Sequence, residues 1–545
     1  IATSQNKLQA YDKALAACEA SLTAAPQGRN ADRVLLIAAE SQAATKNFGQ
    51  AIAAAQRIVE KFPQSPLLAE AAYRAANYTA RSGKPQDAIA MYQQVLSQNA
   101  DSPFAPYALH GIGLAESEQK DYAGAEKTLT SLLDKYPQHQ LATDARFDRA
   151  AARQFLGRYE DAAQDAAAVL AANPSAERKS AARHILGLCQ DRLKQPAEAV
   201  KTYQALLKDD ANYVDTAGVL YELGWSLRTL KQDDEARKVF ARLAAEFGET
   251  TFGAEAHYLL GEYHFADKTY DKAIAEYEAA AKNSPGGSLG EKIAYRLGWA
   301  LYRGEQYDKA QAAFERQLKL AADGPLAAEG AFMLGESYFH QDKFAEALPA
   351  YNQALAKKLE SKDFEVLALL HAGQCASQGK RWPEAIATLE RLVTGYADSY
   401  YLPEALYEQG WAKRNLADEA EAKGDAAAAA KLYDEAIAKF DAAGRKTTRE
   451  VGARSRFMMG EIYFLRKNFR EAQRNYLKVA EGYDKAPPEV DRWKAKAAFS
   501  LGQVYTAMKA ADEAKKWFQT TIERYPMSEE AKLAKERLSK LTAGG

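Results

Sequence analysis

Ten alanines, at 14, 51, 88, 125, 162, 199, 236, 273, 310 and 347, each stand 37 residues after the last. A fixed period of this length is the mark of stacked structural repeats. The phase continues less strictly through Ala385, Ala436, Ala472 and Ala514, so one unit recurs about fourteen times and fills the chain. Twelve residues before the anchor comes a second small residue: Ala39, Ala76 and Ala150, then Gly113, Gly187, Gly224, Gly261, Gly298, Gly335, Gly373, Gly460 and Gly502. In an antiparallel helix pair these two positions are expected to face each other at the closest crossing, where small side chains let backbones approach.

Larger residues flank this seam at helical spacing. Tyr11, Phe48, Tyr122, Tyr159, Tyr270, Tyr307, Phe344, Trp382, Tyr433 and Phe469 lie three before the anchor; Tyr92, Tyr203, Phe240, Tyr277, Phe314, Tyr351, Phe440, Tyr476 and Phe518 lie four after it. Both rows are expected to fill the space between helices. Pro26, Pro63, Pro137, Pro174, Gly248, Pro285 and Pro526 are expected to end the second helix, and Pro85 and Pro196 to open one. Each unit thus reads helix, turn, helix, turn.

The segment Leu334-Gly335-Glu336-Ser337-Tyr338 with Ala347 and Tyr351 resembles the tetratricopeptide (TPR) signature, as does Leu501 to Tyr505 with Ala514, Phe518 and Pro526. The departures are a period longer than the common 34 and a missing first-helix tryptophan. The resemblance implies an all-α fold, an α-solenoid wound as a right-handed superhelix of about fourteen TPR-like helix-turn-helix repeats. The expected organisation is one continuous TPR solenoid over 1–545. It comprises a partial first repeat (1–31), regular repeats (32–402), a repeat with an extended hairpin (403–452), the last two repeats (453–528) and a C-terminal capping helix (529–545).

The hairpin follows from spacing. Ala385 and Ala436 are 51 apart, and Gly410 precedes Ala436 by 26, so fourteen extra residues lie between the two small positions. Shared equally, they lengthen each helix by about two turns. A second insertion around Ala486-Pro487-Pro488-Glu489 reads as an enlarged loop, and Ser528 to Leu541 as an amphipathic cap with Leu533 and Leu538 inward. Because Ala2 already occupies the small position of the first helix, that helix is expected to begin upstream of Ile1, where a signal peptide or lipid-anchor cysteine would lie.

Charge excludes one class of partner. With 72 basic and 73 acidic residues the net charge is −1, so no global field recruits nucleic acid. No glycine-rich phosphate loop or nucleophile elbow occurs. His371 and Cys375 share a helix face but lack further ligands at metal-binding spacing, so no metal or other cofactor is expected and the chain reads as non-enzymatic. Cys18, Cys189 and Cys375 cannot all pair, and the last two sit five repeats apart.

In TPR arrays the residue after the small seam position commonly points into a concave groove. Here that position holds Trp225, Glu262, Trp299, Glu336, Gln374, Trp411, Glu461 and Gln503, with Tyr221, Tyr258, Tyr295 and Tyr407 one turn before it. These aromatics and carboxylates are candidates for binding a peptide segment or a partner's helix. A polysaccharide stacked on the tryptophans is a variant, and packing between neighbouring repeats is the plain alternative. A second candidate is a basic patch of Arg445, Lys446, Arg449, Arg454, Arg456, Arg466, Lys467, Arg470, Arg474 and Lys478, against Glu450, Glu461 and Glu471. It suits an acidic protein segment, a lipid headgroup or a glycan. A solvated helix face is the plain reading there.

The turns Phe62-Pro63-Gln64-Ser65, Asp134-Lys135-Tyr136-Pro137 and Tyr525-Pro526-Met527-Ser528 resemble those of bacterial envelope TPR proteins of the BamD and CpoB type. That resemblance implies a periplasmic or outer-membrane-associated scaffold that holds protein partners. The alternatives are a substrate-capturing or regulatory part of an enzyme whose catalytic domain lies upstream of residue 1, and a cytoplasmic assembly factor; self-association through the groove also stays open.

Overall fold

The computed structural model describes residues 1–98, 101–284, 286–483 and 487–543. Among these, twenty-nine α-helices and one short 3-10 turn occur, and no strand. The helices form fourteen consecutive pairs followed by a terminal helix, Glu529–Ala543. This is the expected all-α TPR solenoid. Contacts gather the chain into two compact units, Ile1–Ala256 and His257–Gly545. Within each unit a helix packs on its neighbours in sequence, and the first helix of one pair touches the first helix of the next.

Every anchor alanine from Ala14 to Ala514 is completely buried. The role of the small residue twelve before it differs from the expected one in a physical detail. A Cβ placed on Gly298 would lie 2.7 Å from Cε1 and Cζ of Phe314; on Gly335 it would lie 2.7 Å from Cδ1 and Cε1 of Tyr351. Gly187, Gly224, Gly261, Gly410, Gly460 and Gly502 stand in the same way against Tyr203, Phe240, Tyr277, Phe440, Tyr476 and Phe518. The glycine therefore makes room for the side chain four residues after the anchor, a ring in these repeats and a leucine at Gly113 and Gly373, where Leu129 and Leu389 take the space. At two alanine seams the opposite residue shrinks, Ala39 clustering with Ala55 and Ala150 with Ala166, whereas Ala76 shares its cluster with Tyr92, whose ring lies against Gly111.

The two aromatic rows also separate. Rings four after the anchor are fully buried, whereas most of those three before it, such as Tyr270, Tyr307 and Phe344, are half-buried at the start of the second helix. There they meet the end of the first helix, as Phe265 with Tyr270 and Phe339 with Phe344, at centroid distances of 5.6 and 5.4 Å. Only Trp382 and Tyr433 of that row join the core.

Turn chemistry repeats as faithfully as the seam. Gln9, Lys46, Gly83, Lys120, Gly157, Lys194, Lys231, Lys268, Glu305 and Asp342 recur every 37 residues with φ between 56° and 80°. The residue after each reaches back five positions, as Asn47 N–H to the Gln42 carbonyl and Gln306 N–H to the Leu301 carbonyl, at 2.8 and 2.9 Å. This is the left-handed helix stop that satisfies orphan carbonyls, and lysine fills it more often than glycine. Second helices end as expected just before Pro26, Pro63, Pro137, Pro174, Gly248 and Pro526, while Pro285 lies outside the described residues. Pro85 and Pro196 open their helices.

The long hairpin is two helices of 21 residues, Leu402–Ala422 and Ala426–Lys446, where most others have about fourteen. The insertion is thus shared equally. Asp425 caps the second by accepting from the Ala428 N–H at 3.0 Å. Of the later insertion, Ala486 lies outside the described residues, and Pro488–Val490 forms a single 3-10 turn. The terminal helix needs a correction: Leu533 is 42% exposed, and the inward face is built by Ala531 and Ala534 with Leu538 and Leu541. Leu538 alone of the expected pair faces in, because Ala531 and Ala534 take the closest positions. All three cysteines are free and buried, and burial pushes the thiols of Cys189 and Cys375 up to about 11 and about 12. Among the described residues no helix is long and apolar enough to cross a membrane.

Candidate protein-binding face

The position after the seam glycine divides into two kinds. Where the buried ring is Tyr277, Tyr351 or Tyr476, the residue is glutamate and the two bond; beside Tyr203 it is Leu188, and that hydroxyl donates to Asp191 Oδ2 at 3.1 Å instead. Tyr351 Oη donates to Glu336 Oε1 at 2.6 Å, Tyr476 Oη to Glu461 Oε1 at 2.6 Å, and Tyr277 Oη to Glu262 Oε1. Where the ring is phenylalanine there is no hydroxyl to satisfy. Trp225, Trp299 and Trp411 then occupy the position beside Phe240, Phe314 and Phe440, and Gln503 occupies it beside Phe518.

The glutamates are accordingly engaged within the fold. Glu336 is buried and also bonds His371 Nδ1 at 2.6 Å, and the His371 ring stacks on Phe339 at 4.4 Å. Burial pushes the Glu336 carboxyl up, but the bonds and charge of His371, the Tyr351 hydroxyl and His340 outweigh it and hold the group below its ordinary value. Glu262 also receives the Arg296 guanidinium. Burial and the adjacent carboxylate push the Tyr277, Tyr351 and Tyr476 hydroxyls up, so each stays a proton donor. These candidate groove acids already have a partner inside the fold: a buried phenol needs an acceptor, and these carboxylates supply it. The Tyr/Glu and Phe/Trp covariation was present in the sequence as a signal.

The tryptophans present themselves differently. Trp225 is 37% exposed, with Tyr221 edge-on at 6.2 Å and the Arg228 guanidinium 4.8 Å from the indole centroid. It borders a cavity of about 490 Å³ in the first unit together with Asp191, Tyr221, Glu222 and Ser226. Burial pushes the carboxyls of Asp191 and Glu222 up. In the second unit Trp411 borders a cavity of about 480 Å³ with Phe339, Phe344, Gln374 and Glu408, and Arg414 lies 5.4 Å from its ring. Trp299 is half-buried against Tyr295 and Phe364, at 6.5 and 6.2 Å, so it packs between repeats while Arg303 covers it at 5.5 Å. Tyr258 packs on Tyr277 at 6.0 Å, and the Tyr295 hydroxyl donates to Glu329.

Tyr407 is buried, with the Arg454 guanidinium 3.5 Å above its ring. That contact joins a residue of the expected groove to one of the expected basic patch. Arg454 also pairs with Glu408 at 3.3 Å and Arg449 with Glu404 at 2.9 Å. Burial pushes the Glu408 carboxyl up although Arg454 pulls it down. Arg466 pairs with Asp434, Arg445 with Asp441 at 2.6 Å, and Arg474 with Glu471 at 3.7 Å. The ten bases therefore do not form one excess. Carboxylates from earlier helices reach them because the long hairpin folds sequence-distant residues alongside. Arg456 and Lys478 keep a separate cavity with Arg445 and Lys446, while Lys467 and Arg470 are exposed elsewhere on the turn and second helix.

Family comparisons agree with this architecture. Models described as "Tetratricopeptide repeat" match residues 69–139, 147–214 and 343–400, and residues 33–65. One described as "Tetratricopeptide repeat-like domain" matches residues 192–371. The chain belongs to the tetratricopeptide-repeat family, whose repeats typically mediate protein–protein binding and are typically non-catalytic. No curated protein matches it. Similar solved structures include a tetratricopeptide repeat protein from Parabacteroides merdae, 17% identical, covering 50% of this chain and 98% of that one, TM-score 0.34. Naa15/Naa10 bound to HypK-THB is 14% identical over 100% of this chain and 96% of that one, TM-score 0.31. MamA is 22% identical over 32% and 94%, TM-score 0.27. At these identities and scores they say nothing of what this chain binds.

Proposed function

We propose that the chain is a non-catalytic scaffold that holds a partner's peptide segment or helix against the Tyr/Trp positions of its first helices. The observation that carries this is Trp225: a large indole left 37% exposed beside Tyr221 at the mouth of a cavity. Its position in the repeat is filled by a satisfied carboxylate at Glu262, Glu336 and Glu461. Rigid aromatics with an arginine laid over them give contact area at low entropic cost. Trp411 offers the same chemistry in the second unit.

The setting we propose is the bacterial cell envelope. Support comes from the turns after the second helices, where Phe62, Tyr136 and Tyr525 cap the helix with φ −130°, −132° and −129° and ψ 57°, 54° and 51°. Each accepts a hydrogen bond from the N–H three residues on, at 2.9 to 3.1 Å.

The test is peptide selection on the full chain, followed by Trp225→Ala and Trp411→Ala. Selected peptides are expected to bind one or both variants at least about tenfold more weakly, with unchanged helical circular dichroism. Equal affinity for both variants and the parent would remove the proposal.

A further inference from the structure

The C-terminal part of the second unit holds a cavity of about 600 Å³ bordered by Arg445, Lys446, Thr448, Arg456, Lys478 and Tyr483. Among the described residues no carboxylate lines it. Its cations come from three helices: Arg445 and Lys446 end Ala426–Lys446, Arg456 belongs to Glu450–Leu465, and Lys478 to Phe469–Ala480. Basic residues in a helix's last turn are ordinary complements of its dipole, which accounts for Arg445 and Lys446. It does not account for the other two.

Among the described residues Arg456 has no counter-ion. Its Nη2 donates to the Gly444 carbonyl at 2.9 Å and its Nε to Tyr483 Oη at 3.2 Å. A Cβ on Gly444 would lie 3.2 Å from Arg456 Cγ, so the glycine lets the side chain lie against the helix end. The remaining guanidinium donors are fixed in a half-buried position. Arg445 pairs with Asp441 at 2.6 Å, and among the described residues Lys446, Arg456 and Lys478 pair with no carboxylate.

We propose that this cavity binds a phosphate monoester. Three cations that line one cavity from three segments and pair with no described carboxylate suit a group that carries close to two negative charges and three acceptor oxygens at neutral pH. A planar carboxylate offers one charge and would leave cations unpaired. The cavity exceeds a bare phosphate, which gives room for the group esterified to it. Free phosphate and a phosphorylated side chain of a polypeptide share this chemistry. The site is independent of the tryptophan face, so Trp225→Ala and Trp411→Ala leave it intact.

The experiment is titration calorimetry of the full chain with inorganic phosphate, with a short phosphoserine peptide and with its unphosphorylated form, at constant ionic strength. One-site saturable binding of the phosphorylated probes is expected, weakened about tenfold or more by Lys478→Gln and by Arg456→Gln. Arg474→Gln, which removes the same charge outside the cavity, is expected to leave it unchanged. Because Arg456 also ties Gly444 to Tyr483, Lys478→Gln decides if Arg456→Gln unfolds. Tighter binding of the phosphopeptide identifies a polypeptide source; equal binding identifies free phosphate. No saturable binding, equal binding of the unphosphorylated peptide, or an Arg474→Gln effect as large as that of Lys478→Gln would overturn the proposal.

Discussion

Two adjacent repeats of the second unit solve one packing problem with different chemistry. At Gly298 the ring that enters the glycine's space is Phe314, and the next residue, Trp299, is released from any duty to the ring. At Gly335 the ring is Tyr351, whose hydroxyl needs an acceptor, and Glu336 is committed to supplying it. In this pair of repeats one oxygen atom distinguishes a neighbouring position that serves the buried ring from one that does not. The alternation Trp225, Glu262, Trp299, Glu336 follows from alternating Phe240, Tyr277, Phe314 and Tyr351.

The largest effect expected in this comparison is that of Phe314→Ala. Emptying a fully buried ring site should cost about 3–5 kcal/mol, read as lost hydrogen-exchange protection in Gly287–Arg303 and Tyr307–Leu320. A loss under about 1 kcal/mol would mean that the ring is not the seam's main filler.

Next comes Phe314→Tyr, which places a buried hydroxyl beside Trp299. An unsatisfied group there should cost about 1–3 kcal/mol, and adding Trp299→Glu should recover most of it. A neutral Phe314→Tyr would break the comparison, because hydroxyl and carboxylate would then not be coupled.

Smaller still is a difference in acid response. The Glu336 carboxyl sits below its ordinary value in the folded chain. Its contribution is therefore complete above the unfolded carboxylate value and lost as pH falls through the folded one. Protection in Ala327–Phe339 and Lys362–Gln378 should fall in that acid window, and His371→Ala should move the fall to higher pH. The Trp299 position has no carboxylate to protonate. The same acid response with and without His371 would contradict the assignment.

Much of this was legible in sequence because the seam is steric and steric demands are periodic. The anchor alanines, the tiny residues twelve before them and the equally shared insertion of the long hairpin are all consequences of chain geometry at one crossing. The commitment of Glu262, Glu336 and Glu461 was written there too, but only as a correlation with a ring sixteen positions or fewer away. The division of the basic patch was not legible. Glu404 and Glu408 neutralise Arg449 and Arg454 across 45 and 46 residues, a distance set by the fold and by no local pattern. Leu533 misled because amphipathic spacing marks a face, while contact distance there selects alanine.

The central claim is that the seam glycine exists to admit the ring, and a double-mutant cycle on Gly298 and Phe314 tests it most directly. Gly298→Ala alone puts a methyl 2.7 Å from the ring and should destabilise these helices, by about 1–3 kcal/mol. In the Phe314→Ala background the same methyl partly fills the void and removes a mid-helix glycine, so it should stabilise them, by about 1 kcal/mol. Reversal of sign between the two backgrounds is the predicted result; an equal penalty in both would contradict the account.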